Sequence, residues 1–208
     1  MLIFILELIG TIAFAASGAI TGLSKKMDIF GVATLGVVTS VGGGVIRDLI
    51  LGLTPPATFS KPVYALVAIA VSIIIFIPAV RRILFKQQAV YDQAMLFMDS
   101  LGLGIFTVVG IQVAYTADAS HNIFLLIFVG MITGIGGGVL RDVLAGNTPY
   151  IFVKHFYACA SLIGAIICIV LWKYFGQTIA IAGGAIAILI LRLLAAHYRW
   201  SLPKAEME

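Results

Sequence analysis

The sequence predicts an all-α integral membrane protein with seven transmembrane helices, arranged as an inverted repeat of three plus three helices and one C-terminal helix. Hydrophobic residues make up 62% of the 208 positions and charged residues 11%, whereas a typical soluble domain carries roughly 25% charged residues. The mean hydropathy is +1.14. This composition leaves too little polar surface for a water-soluble protein.

Long apolar runs recur along the whole chain, and each is close to the roughly 20 residues that cross a bilayer as a helix. The predicted spans are 2–23, 29–50, 62–84, 93–115, 122–145, 154–174 and 178–197. Only short loops remain between them. The sequence therefore leaves no room for an ATP-binding module and excludes primary active transport by this chain alone.

The basic residues between the spans indicate the orientation, because Lys and Arg are enriched in cytoplasmic loops. One side collects Lys25, Lys26, Arg81, Arg82, Lys86, Lys154, Arg199 and Lys204. The other side holds Lys61 and Lys173. We therefore expect the N-terminus outside and the C-terminus in the cytoplasm, and we assign the net charge of +4 to topology rather than to nucleic-acid binding.

An internal repeat is the most informative feature. Residues 39–55 (TSVGGGVIRDLILGLTP) reappear as residues 133–149 (TGIGGGVLRDVLAGNTP). Upstream and downstream, the residues that match in pairs are Glu7 and Asp99, Gly10 and Gly102, Phe14 and Phe106, Gly18 and Gly110, Lys61 and Lys154, and Tyr64 and Tyr157. We divide the single membrane domain 1–208 into a first repeat (1–88), a second repeat (89–175) and a seventh helix with a short tail (176–208).

Each repeat contains three crossings, so the second copy enters the membrane from the opposite side. Inverted repeats of this kind are found in many transport folds, where the binding or permeation site lies near the midplane between the halves. The repeat therefore predicts a protein through which a solute or ion permeates.

The two glycine triplets, Gly42-Gly43-Gly44 and Gly136-Gly137-Gly138, lie at equivalent places in spans 2 and 5. Glycine weakens a helix by about 1 kcal/mol relative to alanine, and loosened backbone inside a membrane is tolerated where protein or a water-filled cavity satisfies it. We expect both spans to be kinked and to line a central path. The alternative is close helix packing through small residues.

Each triplet is followed by an ionisable pair, Arg47-Asp48 or Arg141-Asp142. Charged groups at this depth are costly and usually face a cavity or a partner. Adjacent residues on a helix diverge by about 100°, so we expect each arginine to bind span 1 or span 4 rather than its neighbouring aspartate. A direct role in the pathway and a structural role, as buried salt bridges or as arginines that reach the headgroups, both remain open.

Glu7 and Asp99 occupy equivalent positions on spans 1 and 4. We favour a role as counter-charges for the arginines. The alternative is that they form acidic entrances, or mouths, that concentrate cations. Thr39, Ser40 and Thr133 lie beside the triplets and offer oxygen ligands to a cation that loses its water. The commoner arrangement for a single hydroxyl is a hydrogen bond to its own helix.

The sequence gives no sign of catalytic, metal or cofactor chemistry. Its two cysteines, Cys159 and Cys168, lie in one apolar run and do not form a metal-ligand pattern. No pairing of a nucleophile with a base is visible. We therefore expect a protein that is not an enzyme, without a cofactor or a bound metal other than transient K⁺ or Na⁺.

The doubled Gly-Gly-Gly-Val-Ile/Leu-Arg-Asp motif and the three-plus-three-plus-one layout resemble the trimeric intracellular cation (TRIC) channels over residues 1–200. The match is to their prokaryotic branch, which shares a domain family with bacterial proteins labelled as glycine transporters. The resemblance implies a bacterial or archaeal plasma (inner) membrane and a homotrimer. It also implies an hourglass pore in each protomer, formed by kinked spans 2 and 5, that passes monovalent cations, chiefly K⁺.

Two function classes fit these residues. A passive channel predicts conduction that does not saturate and a reversal potential that follows K⁺. A secondary transporter for a small solute such as glycine predicts saturable uptake, with the helix breaks as a carboxylate and ammonium site. A purely structural membrane subunit is a third reading, and it leaves the two symmetric helix breaks without a purpose.

Overall fold

The computed structural model describes residues 2–117, 122–153 and 156–200, which form helices and turns without a β-strand. The ten helices within these residues are α1 (Leu2–Ser24), α2 (Ile29–Ile50), α3 (Ala57–Ser60), α4 (Val63–Phe76), α5 (Pro78–Leu84), α6 (Gln88–Thr116), α7 (Ile123–Leu144), α8 (Tyr150–Val153), α9 (Tyr157–Phe175) and α10 (Gln177–His197). The fold is all-α, as predicted. Lys154 and Lys204, which entered the orientation argument, lie outside the described residues.

Six of these helices (α1, α2, α6, α7, α9 and α10) are long and apolar enough to cross a membrane, and a seventh span is present only if α4 and α5 are counted together. The predicted third span, 62–84, is not one straight helix, because α4 and α5 meet at 76°. Pro78 begins α5, and the preceding Ile77 has ψ 132°. Proline disfavours helical backbone in the residue before it, so the helix breaks there.

The helices α2 and α7 begin and end with the same chemistry in both repeats. Asp28 accepts a hydrogen bond from the Gly31 amide at 2.7 Å, and Asn122 accepts one from the Leu125 amide at 3.0 Å. Both are N-caps, which satisfy amides that the first helical turn leaves free. Past the C-terminal ends, Gly52 (φ 71°) and Gly146 (φ 67°) take the left-handed conformation that closes a helix.

The long helices α1 and α6 pack against each other in opposite directions. A Cβ placed on Gly10 would lie 3.1 Å from the Phe106 ring, and a Cβ on Gly102 would overlap the Phe14 ring. Residue numbers thus rise along one helix as they fall along the other. This reciprocal contact is the geometry that an inverted repeat requires.

The seventh span, α10, breaks the symmetry between the two repeats because it packs on α6 and α9. Its Gly184 lies against Cys168 and Val108, and its Ile188 fills the space beside Gly164. Small residues on α9 and α10 therefore permit close approach of their backbones, as in other membrane helix pairs. The second repeat gains an extra helix beside its acidic residue, Asp99, as described below.

Candidate functional site

The two arginines are paired with the aspartates that follow them, and the prediction that they would not be was wrong. The Nε atom of Arg47 donates to Asp48 Oδ1 at 2.8 Å, and Arg141 Nε donates to Asp142 Oδ1 at 2.8 Å. The 100° divergence applies to the Cα–Cβ directions. The long, flexible arginine side chain can bend towards the aspartate that follows it. In buried surroundings the nearest carboxylate stabilises the positive charge of the arginine.

Each aspartate also binds the loop that follows its helix. Asp48 Oδ2 accepts a hydrogen bond from the Ala57 amide at 2.8 Å, and Asp142 Oδ2 accepts one from the Tyr150 amide at 2.9 Å. These amides are the first of the short helices α3 and α8. The Arg-Asp motif therefore holds a helix end, an arginine and a short helix together at equivalent places in both repeats.

Arg141 also donates hydrogen bonds to two further side chains, on α6 and α1. Its Nη1 atom lies 2.7 Å from Asp99 Oδ1, and it also donates to the Ser17 hydroxyl. The side chains of Arg141 and Asp99 are both 0% exposed. In this repeat the acidic residue of α6 is a counter-charge for the arginine of α7, which is the arrangement we favoured from the sequence.

The equivalent contact is missing from the first repeat. Glu7 accepts a hydrogen bond from the Tyr64 hydroxyl and forms no ion pair with Arg47 in the described part of the chain. Both Nε and Nη2 of Arg47 bind Asp48 instead. The two repeats thus place the same residue types differently, with one acid engaged by its arginine and the other not.

The glycine triplets lie where α2 and α7 cross, and neither helix is interrupted there. A Cβ on Gly43 would overlap the Thr133 carbonyl, and a Cβ on Gly137 would overlap the Thr39 carbonyl. A Cβ on Gly136 would lie 3.2 Å from the Cα of Gly43. The middle glycines therefore allow the two backbones to touch, as in small-residue packing.

The outer glycines Gly42, Gly44 and Gly138, unlike Gly136, face side chains rather than backbone. Gly42 packs against the side chain of Leu140, and Gly138 lies close to the Tyr157 hydroxyl. Gly44 has space beside it, because the nearest atom to its added Cβ would be an Arg47 nitrogen 3.8 Å away. The three positions of a triplet therefore differ in whether they tolerate a side chain larger than hydrogen.

The three predicted hydroxyl ligands hydrogen-bond to their own helices. Thr39 donates to the Leu35 carbonyl and Thr133 to the Val129 carbonyl, both at 2.6 Å. Ser40 donates to the Val37 carbonyl at 3.0 Å. Thr39 and Thr133 are fully buried, whereas Ser40 is among the residues that line the cavity described next.

A small cavity, which we call the Glu7 cavity, opens where α1, α2, α3 and α4 meet. Its volume is about 40 Å³. Polar and charged side chains line much of it, namely Glu7, Thr11, Ser40, Arg47, Thr58 and Tyr64. The ring of Phe106, from the second repeat, lies at its inner wall.

A larger cavity of about 420 Å³, the Asp99 cavity, lies between the start of α6, α8 and the end of α10. Asp99, Tyr150 and Arg192 line it. Arg192 lies over the Tyr157 ring, 4.7 Å from its centre. Burial raises the pKa of Tyr150 to about 12, against the lowering effect of the nearby Arg141 charge, so its hydroxyl stays protonated at neutral pH.

Two phenylalanines lie between these cavities, and the sequence analysis assigned them no role. Phe14 and Phe106 are 1% and 9% exposed, and their ring centres are 5.2 Å apart. Each ring also fills the space beside a glycine of the opposite helix, Gly102 or Gly10. The internal repeat could have identified these residues, because it matches the two phenylalanines with each other and the two glycines with each other.

Comparison with known proteins gives the family. The profile of a family described as Glycine transporter matches residues 4–79 and 96–173. The UPF0126 inner membrane protein YadS of Escherichia coli (strain K12) is 35% identical over 211 residues, with 100% of this chain and 98% of YadS covered.

Two solved structures share the fold over nearly the whole chain. A TRIC cation channel has a TM-score of 0.86 and 35% identity, with 100% of this chain and 99% of that chain covered. The TRIC orthologue from Rhodobacter sphaeroides has a TM-score of 0.84 and 32% identity, with 95% and 98% covered. This chain is therefore a multi-pass membrane protein of the glycine-transporter (UPF0126) family and a prokaryotic member of the TRIC channel family.

Proposed function

We propose that this protein is a passive channel selective for monovalent cations, with K⁺ preferred. The observation that carries the proposal is the likeness to TRIC cation channels, at 35% identity and a TM-score of 0.86 over the whole chain. The solved relatives are ion channels, so we propose no enzymatic activity. We further propose a homotrimer with one pore inside each protomer and with the N-terminus outside the cytoplasm.

The pore proposed here joins the Glu7 cavity to the Asp99 cavity. The two cavities lie at opposite ends of the antiparallel pair α1 and α6, and the Phe14 and Phe106 rings lie between them. The glycine triplets of α2 and α7 cross at the same level. In this proposal, movement of these two helices and two rings connects the cavities.

The charge of the Glu7 cavity favours cations. Glu7 is the acidic residue in its lining, whereas the Asp99 cavity is lined by two aspartates, Asp92 and Asp99, and by two arginines, Arg192 and Arg199. The positive charges of Arg47 and Arg141 are offset by their own aspartates at 2.8 Å. In the Glu7 cavity an anion would gain little from an arginine that its own aspartate neutralises, and the Glu7 carboxylate would repel it.

Flux from proteoliposomes loaded with K⁺ tests this function. A channel predicts K⁺ efflux that rises in proportion to the internal concentration and that sets a membrane potential when the counter-ion is impermeant. Empty liposomes and liposomes with heat-denatured protein serve as controls. K⁺ flux equal to these controls in vesicles that contain folded protein would contradict the proposal.

A second candidate is a carrier for glycine, and the description of the matching family favours it. Glu7 and Arg47 line one cavity and could bind an ammonium and a carboxylate. The cavity volume of 40 Å³ corresponds to about three water-sized spheres, which is less than the five heavy atoms of glycine require. Saturable uptake of labelled glycine into the same vesicles would establish the carrier instead.

A further inference from the structure

We propose that the Glu7 cavity is a binding site for one monovalent cation, held by the Glu7 carboxylate and the hydroxyls of Thr11 and Ser40. The inference rests on the proposed function and names the place where the cation loses part of its water. It is carried by the comparison of the two repeats, by the charge of the site and by its size.

In the second repeat, the equivalent place is occupied by the positively charged side chain of an arginine. There the Arg141 guanidinium lies 2.7 Å from the Asp99 carboxylate. In the first repeat the equivalent arginine, Arg47, turns both Nε and Nη2 towards Asp48. The Glu7 carboxylate therefore has only the Tyr64 hydroxyl as a hydrogen-bond donor among the described residues. A diffusible cation can take the place beside Glu7 that the Arg141 guanidinium takes beside Asp99.

The charge of the site matches a single positive charge. Glu7, Arg47 and Asp48 carry one net negative charge, because the arginine and the aspartate offset each other at 2.8 Å. A Ca²⁺ site takes six to eight oxygen ligands, usually with several carboxylates, and the described residues hold no cluster of three metal-binding side chains. The site therefore fits a monovalent ion and not a divalent one.

The hydroxyl groups of the cavity complete the site. Thr11 is 2% exposed and Ser40 is 5% exposed, and both line the cavity. A hydroxyl oxygen carries lone pairs, which bind a cation that has lost part of its water. The volume of about 40 Å³ holds one cation with one or two of its waters, by the measure of about 10–15 Å³ per water.

Equilibrium binding to the purified protein tests the site without relying on conduction. The probe is KCl, titrated against choline chloride at constant ionic strength, and the readout is the rise in the unfolding temperature. Wild type gains thermal stability with K⁺, as any ligand of the native state provides. Glu7→Gln, which keeps the shape of the side chain, loses this K⁺ effect.

A matched pair of threonines on α1 controls for packing. Thr11→Val removes the cavity hydroxyl and weakens the apparent K⁺ affinity by about tenfold. Thr21→Val removes an equally buried hydroxyl that donates to the Ser17 carbonyl at 2.9 Å, and it leaves the K⁺ effect unchanged. Equal K⁺ stabilisation of wild type and Glu7→Gln overturns the site, as does an equal loss in both threonine variants.

Conduction measured on the same variants separates this inference from the proposed function. If wild type conducts K⁺ and Glu7→Gln keeps both the K⁺ stabilisation and the cation selectivity, the site is wrong and the channel stands. If wild type does not conduct but shows K⁺ stabilisation that Glu7→Gln abolishes, the site stands and the channel is wrong.

Discussion

At the scale of residues, Glu7 and Asp99 hold equivalent places in the repeats but have different partners. Asp99 binds a fully buried arginine at 2.7 Å, whereas Glu7 is half-buried and accepts a hydrogen bond from Tyr64. A buried charge that loses its partner is far more costly than a partly solvated one. We therefore propose that Asp99 stabilises the bundle and that Glu7 lies on the proposed ion path.

Neutralisation of each acid separates these roles. Asp99→Asn removes one partner of a buried ion pair, which costs roughly 3–5 kcal/mol, and we expect a large fall in unfolding temperature in detergent without added K⁺. Glu7→Gln keeps the hydrogen bond to Tyr64 and costs less than about 1 kcal/mol. Equal falls in unfolding temperature in the two variants would show that Asp99 and Glu7 have the same role.

The paired phenylalanines give a prediction about conductance. We expect Phe14→Leu and Phe106→Leu to raise single-channel conductance or open probability, because a smaller apolar side chain widens the barrier between the cavities. Full truncation to alanine costs about 3–5 kcal/mol in a packed core, so leucine is the better test. Phe97→Leu, on the same helix as Phe106 but 45% exposed, is the control and leaves conductance unchanged. Lower or unchanged conductance in both test variants would place the barrier elsewhere.

At the scale of elements, the crossing of α2 and α7 determines how the two repeats fit together. Backbone atoms of Gly43 and Thr133, and of Gly137 and Thr39, approach so closely that no side chain fits between them. The crossing is therefore a close backbone contact between the repeats, and it lies at the level of the proposed barrier.

Two neighbouring glycines on α2 test the crossing. In Gly43→Ala the added methyl meets the Thr133 carbonyl, so the helices must separate, and we expect a loss of roughly 1–3 kcal/mol with altered conductance. In Gly44→Ala the methyl has space, and the higher helix propensity of alanine adds up to about 1 kcal/mol. Unfolding in detergent measures both. If the two variants were equally stable, the close crossing would be wrong.

The helices themselves were largely predictable from the sequence. Apolar runs of membrane length predicted the helix limits closely, and the predicted span 29–50 is the observed α2. The bend at Pro78 was missed, because hydropathy averages over residues 62–84 and does not register the loss of helical backbone before a proline. Its angle depends on packing that no single window of sequence contains.

At the scale of the whole molecule, the repeat predicted which residues are equivalent but not how they pair. The equivalence of Glu7 with Asp99 is visible in the alignment of the two halves. Which acid an arginine binds is decided by side-chain length and by neighbours from other helices, such as Ser17 of α1 beside Arg141. The unequal cavities follow from that difference and from α10, which packs on α6 and α9 of the second repeat.

The proposed trimer makes a prediction about its conductance levels. Light scattering with the detergent contribution subtracted gives three times the chain mass of 22.1 kDa. If each protomer holds a pore, single trimers show three equally spaced conductance levels, because the pores open independently. A single indivisible level from a trimer would indicate one central pore between the protomers.

The reversal potential in a planar bilayer measures whether the protein passes cations selectively. With a tenfold KCl gradient across the membrane and purified wild-type protein, we predict discrete openings that reverse near the K⁺ equilibrium potential, about 59 mV from zero. Currents that reverse near zero or near the Cl⁻ potential would contradict the account, as would a silent bilayer from folded protein.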